Sequence, residues 1–435
     1  MSSLKAYKYR LYPKHEQGII LQGTLDKCRE LSNAALQERR DAYEIVVRRH
    51  PNFYDEDTRR ELSQAHAVTY ATQSAQLPEI KDLRPEFGNI HSQVLQDVLR
   101  RVQKSFDGFF RRIKEGQTPG YPRFQAYGRY DSFTFPQMGF SLTEDHRVCL
   151  SKIGTIKLKM PKVKGDDGRK VPYLPAGQMK TCTLKREGTK WFVVFSCEVE
   201  TALVYHPSEE ATGLDMGLLH FATLADGSTI ENPRHFRVSA GKLKRQQQAL
   251  ARKKRGSKRR RKAAMSVAKT HRHIRNQRKD FHHKEARKLV SSYQTIVFEK
   301  LQPTNMSRRP KPKQDEETGV YLPNGAAAKA GLNKSIMDAG WSQFQQMCVN
   351  KAEWAGSRVL FVSPQYTSQI CCQCGTIVKK TLDERWHTCE CGCSLDRDHN
   401  SAIVILVKGL ATGKEQVKHP RRKPFQARTE PSGDA

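Results

Sequence analysis

Acidic residues are scarce in this chain: 45 Asp and Glu stand against 76 Lys and Arg over 435 residues, a formal net charge of +31. Such an imbalance argues against a basic partner and favours a polyanion, with nucleic acid as the first candidate. The chain also lacks any apolar run near the roughly 18 residues that a membrane-spanning helix needs, and its first residues lack the apolar segment of a signal peptide. We therefore expect a cytoplasmic protein that has no membrane partner.

Cysteine is concentrated in one short segment, since six of the eleven lie between residues 371 and 393. The remaining five are scattered and show no disulfide framework, so a reducing compartment with a metal site fits better than secretion. Within the segment, two cysteine pairs are each followed by a glycine, and two such pairs can give four thiolates to one tetrahedral zinc ion. We expect this zinc to be structural, because four thiolates leave no coordination position open for catalysis. The predicted ligands are Cys371, Cys374, Cys389 and Cys391.

The first half of the chain combines β-rich and helical patterns. A strand-like segment ends at Pro13, and helical periodicity follows it up to about residue 113, so the partners of this strand must come from later in the chain. Short β-rich stretches with Gly and Asp at the turns then return. We predict an antiparallel β-barrel formed by residues 1–13 and 126–205, with a helical recognition lobe, residues 14–125, inserted between its strands.

A strongly basic segment covers residues 242–290, with 20 Lys and Arg and only two acids. This density exceeds what an ordinary solvated helix face carries, so we predict a contact surface for phosphate backbones. Gly256 and Ser257 divide the segment into two predicted helical arms. The residues expected to bind nucleic acid are Arg252, Lys253, Lys254, Arg255, Lys258, Arg259, Arg260, Arg261 and Lys262.

Three acids in the second half stand on elements of a particular order. The pattern predicts three strands, a helix, a strand, a helix, a strand, the cysteine segment and a last helix, which is the order of the RNase H-like fold of RuvC-type nucleases. Asp215 lies on the first strand, Glu299 ends the fourth, and Asp398 begins the last helix. Phosphodiester hydrolysis builds negative charge, and two Mg²⁺ ions about 4 Å apart on clustered carboxylates can stabilise it. We predict that these acids bind two Mg²⁺ ions, with Mn²⁺ as an alternative.

The chain resembles the TnpB family, the RNA-guided DNA endonucleases of insertion-sequence transposons and relatives of the type V CRISPR nucleases. The resemblance implies a guide RNA from the transposon end, a double-stranded target DNA with a short adjacent motif, and cleavage of both strands. It implies a bacterial or archaeal protein associated with the nucleoid, as a monomer or weak dimer. The matching stretches are residues 6–13, 213–217, 297–301, 339–341, 367–369 with the cysteine pairs, and 396–402.

The resemblance also implies roles for single residues. The catalytic acids of the family correspond to Asp215, Glu299 and Asp398, and the pattern D-x-N selects Asp398 over the neighbouring Asp396. Asn400 is then a supporting polar residue. Arg397 has two open roles, contact with the scissile strand or an ion pair with Asp396.

One cysteine pair departs from the family, which usually has C-x-x-C where this chain has Cys389, Cys391 and Cys393 at alternate positions. Glycine after Cys391 mirrors glycine after Cys374, so Cys391 is the preferred fourth ligand and Cys393 the alternative. Cys372 is expected to be spare.

The predicted fold class is therefore a multidomain α+β protein, with the β-barrel and lobe followed by a RuvC-like α/β nuclease domain. That domain takes residues 206–363 and 396–413 and contains the basic helical bridge, residues 242–290. A zinc ribbon, residues 364–395, is inserted in it, and residues 414–435 are expected to be a disordered basic tail.

A second nucleic-acid contact is predicted at the start of the helix expected from about residue 90. Ser92, Gln93 and Gln96 lie near one another there, and glutamine can pair with adenine edges. We predict that they read the motif beside the target. Serine and glutamine at a helix start also serve as plain surface or capping residues, and that alternative stays open.

Two functions of other classes remain as alternatives. The chain could be an RNA-guided DNA binder that represses without cutting, although the presence of all three acids argues against this. It could also be a transposon DNA-binding accessory protein that works without RNA, because phosphate contacts do not distinguish RNA from DNA.

Overall fold

A computed structural model of the protein describes residues 2–44, 68–164, 169–200, 208–381 and 383–412. The chain divides into two compact units, Met1–Thr201 and Ala202–Ala435, and each is described by itself. The predicted tail, residues 414–435, lies outside the described residues. Within the described ranges, no helix combines the length and apolarity needed to cross a bilayer.

An antiparallel sheet of seven strands forms the frame of the first unit, in the order β2-β8-β9-β1-β5-β4-β3. Strand β1 pairs with both β9 and β5, so its partners do come from later in the chain. The outer strands of the sheet, β2 and β3, are not paired with each other among the described residues, and a closed barrel is therefore not shown. The strands are β1 (Ser2–Tyr12), β2 (Ser132–Phe135), β3 (Phe140–Leu142), β4 (Arg147–Leu150), β5 (Gly154–Lys159), β8 (Gln178–Glu187) and β9 (Lys190–Glu200), with a separate pair β6 (Lys162–Lys164) and β7 (Lys170–Pro172).

The helices of the first unit lie between β1 and β2 in the chain. Their apolar faces and alternate residues of the strands form one core, in which Leu25 and Leu95 of the helices join Val193 and Phe195 of β9. The helix predicted from about 90 to 113 is observed as Ser92–Lys114, and it is followed by Gly116 at a φ of 65°. The helices are α1 (His15–Tyr43), α2 (Tyr70–Ala75), α3 (Leu77–Leu83) and α4 (Ser92–Lys114), with a 3₁₀ turn at Pro85–Asn89.

The second unit contains a mixed sheet of five strands in the order β12-β11-β10-β13-β16. The first three strands are antiparallel neighbours, whereas β10, β13 and β16 run parallel. Parallel strands require crossover connections, and helices supply them here. The strands are β10 (Ala211–Met216), β11 (His220–Leu224), β12 (Thr229–Glu231), β13 (Thr295–Glu299) and β16 (Arg358–Val362).

Helices cover both faces of this sheet, which explains why every residue of β13 is buried. Phe298 packs in the cluster that contains Phe344 of one helix, while Val297 packs with Ile405 of another. The helices are α5 (His235–Ala251), α6 (Lys258–Ser292), α7 (Pro303–Met306), α8 (Ala326–Ala339), α9 (Trp341–Ala355) and α10 (Arg397–Thr412).

Helix α10 approaches the sheet unusually closely because two glycines allow it. A Cβ atom at Gly213 of β10 would lie 2.2 Å from the carbonyl oxygen of Ala402, and one at Gly409 of α10 would lie 2.5 Å from Val297. No side chain fits at either distance. This contact brings the first turn of α10 to the ends of the central strands.

The polar, Pro-rich residues 306–324 contain a short hairpin of β14 (Lys313–Gln314) and β15 (Tyr321–Leu322), in which Asp315 accepts from the amide of Thr318 at 2.8 Å. The helical spacing of Met337, Trp341, Phe344 and Cys348 predicts one amphipathic helix. That prediction is wrong, because the helix breaks at Gly340, where φ is 66°. Met337 is consequently exposed rather than in the core.

Candidate active site and metal centre

The three predicted acids lie at one edge of the five-stranded sheet. Leu214 of β10 is in register with Phe298 of the parallel strand β13, so the following residues, Asp215 and Glu299, come at the same level of the sheet. Asp398 is the second residue of α10, the helix that lies against β10. The carboxyl ends of parallel strands are where ligands bind in open α/β sheets.

The carboxylate of Asp215 is the most perturbed of the three. Burial is the largest cause and, together with the nearby charges of Glu299 and Asp398, it raises the pKa of Asp215 to about 8, although a hydrogen bond with Ser401 and the charge of Arg397 oppose the shift. Without a cation, this cluster therefore retains a proton near neutral pH. A divalent cation would compensate the same charge and release that proton.

Glu299 is 6% exposed and is held by residues that the sequence did not single out as functional. The hydroxyl of Thr367 donates to its Oε1, and the side-chain amide of Gln345 donates to its backbone carbonyl at 3.1 Å. Burial raises the pKa of Glu299, while the Thr367 hydrogen bond and the Lys408 ammonium lower it. The only sequence signal for Thr367 was its place in the Thr-Ser-Gln stretch before the cysteines.

Asp396 and Asp398 have different surroundings although only one residue separates them. The Oδ1 of Asp396 accepts from the backbone amides of Asp398 at 2.8 Å and His399 at 3.2 Å, which is how an N-cap residue satisfies the free amides of a helix start. Capping accounts for Asp396 and leaves Asp398 as the acid that interacts with Asp215.

Arg397 pairs with the neighbouring carboxylate, since its Nε lies 3.5 Å from Oδ1 of Asp398. Its Nη1 also donates to the carbonyl of Glu384 in the cysteine segment at 2.8 Å. The ion pair that the sequence suggested was with Asp396, which instead caps the helix. Arg397 thus links Asp398 to the ribbon.

Asn400 is fully buried and uses both ends of its amide on the backbone of the cysteine segment. Its Oδ1 accepts from the amide of Cys372 at 2.9 Å, and its Nδ2 donates to the carbonyl of Ile370 at 2.7 Å. Its support for Asp398 therefore passes through the attachment of α10 to this segment.

The cysteine segment forms a small hairpin that leads directly into α10. Its strands are β17 (Trp386–Thr388) and β18 (Ser394–Asp396), which pair antiparallel. Each cysteine pair sits in a tight turn that ends in a glycine with positive φ, 78° at Gly375 and 90° at Gly392. The amides of these glycines donate to the carbonyls of Cys371 and Cys389, so each turn closes around its thiols.

The four predicted ligands do converge. The Sγ atoms of Cys371, Cys374, Cys389 and Cys391 all lie within 4.8 Å of one another. The Sγ distances are 3.6 Å for Cys371 to Cys391 and 3.6 Å for Cys374 to Cys389. A tetrahedral zinc with Zn–S bonds of about 2.3 Å has S–S edges of about 3.8 Å, so the donor set fits that ion.

The basic bridge consists of α5 and α6, which break at residues 252–257 as expected, with Gly256 at a φ of 83°. Eight of the nine predicted contact residues are exposed. The exception is Arg260, whose Nη1 donates to the carbonyls of Leu250 at 2.9 Å and Lys253 at 3.0 Å. Arg260 therefore has a structural role at the end of α5.

The predicted DNA-reading residues lie at the start of α4. Ser92 is exposed and accepts from the ammonium of Lys81 at 2.7 Å, while Gln96 is half-buried. Gln93, the third of the predicted residues, accepts from the backbone amide of Met138 at 3.0 Å, which is a structural contact.

Three family models match the chain. Residues 194–309 match a model described as "Probable transposase", residues 341–405 match "Cas12f1-like, TNB domain", and residues 1–45 match "Helix-turn-helix domain". In the last range the described residues form the strand β1 and the single long helix α1.

Full-length relatives are also found. A protein of Escherichia coli strain K12, named "Putative RNA-guided DNA endonuclease InsQ", is 30% identical over 416 residues, 94% of each chain. A Streptomyces pristinaespiralis protein named "Putative RNA-guided DNA endonuclease" is 30% identical over 413 residues, which cover 94% of this chain and 90% of that one. A solved Cas12f1–sgRNA–target DNA complex aligns with a TM-score of 0.46 and 13% identity, over 93% of this chain and 98% of that chain.

Proposed function

The chain belongs to the TnpB family, and from that premise we propose that it is an RNA-guided DNA endonuclease. It would bind a guide RNA from the end of its transposon, recognise a short motif beside the matching target, and cut both DNA strands. The observation that carries the nuclease part is that Asp215, Glu299 and Asp398 lie close enough at the end of β10 for their charges to interact; burial, with these charges added, raises the pKa of Asp215 to about 8.

The fold of the second unit supports the same proposal. Three antiparallel strands followed by two parallel ones, with a last helix over the first strand, have the element order of an RNase H-like domain of the RuvC type. In the proposed function, this domain would be the nuclease. The first unit would supply the β-domain and the helical recognition lobe for RNA and DNA.

The acidic cluster has the donor chemistry of a magnesium site, because hard cations prefer carboxylate oxygens. Asp215 interacts electrostatically with both Glu299 and Asp398, which supports a site for two ions in which Asp215 would contact both. Bound Mg²⁺ or Mn²⁺ would supply charge stabilisation and an activated water.

The protein's own groups prepare this site. Thr367 and Lys408 favour the ionised form of Glu299, and the hydrogen bond with Ser401 favours ionised Asp215. The Arg397 guanidinium holds Asp398 toward the ribbon. These contacts position the acids and partly offset the rise in pKa that burial causes at Asp215 and Glu299.

The four convergent cysteines are proposed to hold a structural zinc. The ion would lock the hairpin β17–β18, and β18 runs into α10 without a linker. Zinc binding would therefore support cleavage by fixing the position of Asp398 at the start of α10. The exposed basic residues of the bridge are proposed to contact guide RNA or the RNA–DNA heteroduplex.

The proposal places the protein at bacterial or archaeal DNA, at the nucleoid in the cytoplasm, as a monomer or weak dimer. Its test begins with sequencing the RNA that co-purifies with the protein. A plasmid library with the matching target beside randomised bases is then incubated with the complex and Mg²⁺. Linear product that depends on the guide, on one motif and on Mg²⁺ supports the proposal.

Two results would replace the proposal with one of the alternatives. Tight, guide-dependent binding with no cleavage in Mg²⁺ or Mn²⁺ would indicate an inactive RNA-guided binder. DNA binding by protein that carries no RNA, at unchanged affinity, would indicate an accessory protein that works without a guide.

A further inference from the structure

A second set of metal-type donors lies behind the four-cysteine cluster. One ring nitrogen of His387 and the Sγ atoms of Cys371 and Cys393 all lie within 4.8 Å of one another. All three side chains are buried, with exposures of 0%, 1% and 6% respectively. The four-cysteine site needs neither His387 nor Cys393, so it does not account for their position.

Hydrogen bonding accounts for only one of the two ring nitrogens of His387, because Nδ1 bonds Lys380. The Nε2 atom is buried and has no hydrogen-bond partner among the residues that the structure describes. A buried polar atom without a partner is costly and points to a missing ligand or to an unusual role. Since imidazole is also among the commonest zinc ligands, the orphaned ring directs attention to the thiols beside it.

Cys372 offers a further donor, but it is not among the ligand atoms that all lie within 4.8 Å of one another, so it would have to turn inward to serve as the fourth. Its Sγ lies 3.9 Å from Sγ of Cys393, close to the S–S edge of about 3.8 Å in a tetrahedral zinc–thiolate site. Cys371 is the link between the two sets, because its Sγ is also 3.6 Å from that of Cys391. A thiolate sulfur has enough lone pairs to bind two metal ions at once.

The side chain of Lys380 occupies one side of these donors, since its amino group donates to Nδ1 of His387. Burial and the charge of Arg397 lower the pKa of Lys380, and Glu384, Cys371 and Cys393 only partly oppose that shift. A bound metal ion would take the place of this amino group, and Lys380, which is only half-buried, would turn out toward solvent.

We propose that Cys371, Cys372, His387 and Cys393 form a second zinc site that shares the Cys371 thiolate with the four-cysteine site. Three sulfur donors and one imidazole nitrogen are a typical set for structural zinc. Binding releases the protons of the thiols and oxidises nothing. The second ion would tie β17, which carries His387, to the Cys372 loop that Asn400 attaches to α10.

Elemental analysis of the purified full chain tests the proposal directly. We expect two zinc ions per chain, and one ion after Cys393→Ser or His387→Ala. Cys149→Ser, which changes a half-buried thiol in the first unit, is the matched control and should keep two. Cobalt substitution shows whether a variant is folded, because the remaining ion should keep the tetrahedral thiolate spectrum.

The shared thiolate has its own signature. Two ¹¹³Cd resonances coupled to each other should appear in the cadmium-substituted chain, because coupling passes through the bridging Cys371 sulfur. Lys380→Met should bind the second ion more tightly than wild type, since it removes a competing cation.

Three results would overturn the proposal. One is a single zinc per wild-type chain that His387→Ala leaves unchanged. Another is a Cys372–Cys393 disulfide, detected by mass as the loss of two thiols, in a chain that lacks the second ion. The third is a Lys380→Met chain that still holds a single zinc ion, because removal of the competing side chain would then uncover no second site.

Discussion

The hydroxyl of Thr367 donates a hydrogen bond to the carboxylate of Glu299, although 68 positions separate them in the chain. Thr367 precedes the cysteine segment, and Glu299 ends the central strand β13. The contact therefore joins the base of the ribbon to the acidic cluster. It also opposes the rise in the pKa of Glu299 that burial causes.

Replacement of Thr367 by valine should move the acid limb of the cleavage profile to higher pH. Without the donor the pKa of Glu299 rises further, so a higher pH is needed to ionise it for metal binding. We expect a shift of about one pH unit, or about 1.4 kcal/mol. Cleavage rates measured from pH 5.5 to 9 give the shift. Thr367→Ser keeps the hydroxyl and should leave the profile in place, and an unshifted valine variant would contradict the role.

Asp398→Asn should abolish cleavage while guide-dependent DNA binding stays. The change removes a charge from the proposed metal site, worth several kcal/mol or at least about a hundredfold in rate. Asp396→Asn is the matched control, because asparagine also caps helices well, and it should still cut. Plasmid cleavage and gel-shift binding are measured for both. If the Asp396 variant does not cleave and the Asp398 variant does, the metal-binding carboxylate has been assigned to the wrong residue.

Stability of the Mg²⁺-free protein should fall as pH rises from about 4 to about 8. The folded-state pKa of Asp215 is raised to about 8, above its unfolded value, so in this window the native state binds more protons than the unfolded state and loses stability with pH. Asp215→Asn should flatten the dependence. Melting temperatures across this range, with and without Mg²⁺, test it. Added Mg²⁺ should stabilise wild type most at the alkaline end, and equal slopes for both proteins would count against the charged cluster.

Arg259 and Arg261 should contact phosphates, whereas Arg260 should not. Changing both exposed arginines to glutamine should reduce the slope of log K against log salt for RNA binding by about 1.4 to 1.8. Arg260→Gln should leave that slope unchanged and lower stability instead, by about 1 kcal/mol for each lost bond to Leu250 and Lys253. Filter binding at several salt concentrations, with thermal unfolding beside it, separates the two effects. The same slope in the double variant and wild type would show that these arginines contact solvent only.

Asn400→Ala should loosen the attachment of α10 to the ribbon. Two buried hydrogen bonds are lost, at about 1–3 kcal/mol each, so the second unit should melt earlier. Cleavage should slow less than in Asp398→Asn, because no metal ligand is removed. Asn400→Asp keeps the acceptor for the amide of Cys372 and loses the donor to the carbonyl of Ile370. Its melting temperature should therefore lie between those of wild type and Asn400→Ala. An alanine variant with wild-type melting would contradict the structural role.

Much of the fold was readable from local patterns. The helical spacing of apolar residues predicted α4 to within two residues at its start and one at its end, and Gly256 marked the break between the basic arms. The two glycine-backed pairs identified four cysteines that converge. These signals are local, since helical periodicity, turn glycines and ligand spacing act over a few residues.

What stayed out of reach depends on contacts between distant segments. No pattern in the sequence shows that Thr367 donates to Glu299 or that Asn400 bonds the ribbon. Nor does any pattern show that Arg260 donates to carbonyls at the end of α5. The helix break at Gly340 and the hairpin after residue 312 are local features that the periodicity of the sequence did not reveal. The sequence by itself determined the elements, their order and the donors near each other in the chain. Only the tertiary structure decided which donors meet across the chain, because that depends on how α10 packs against Gly213 and how the ribbon closes beside it.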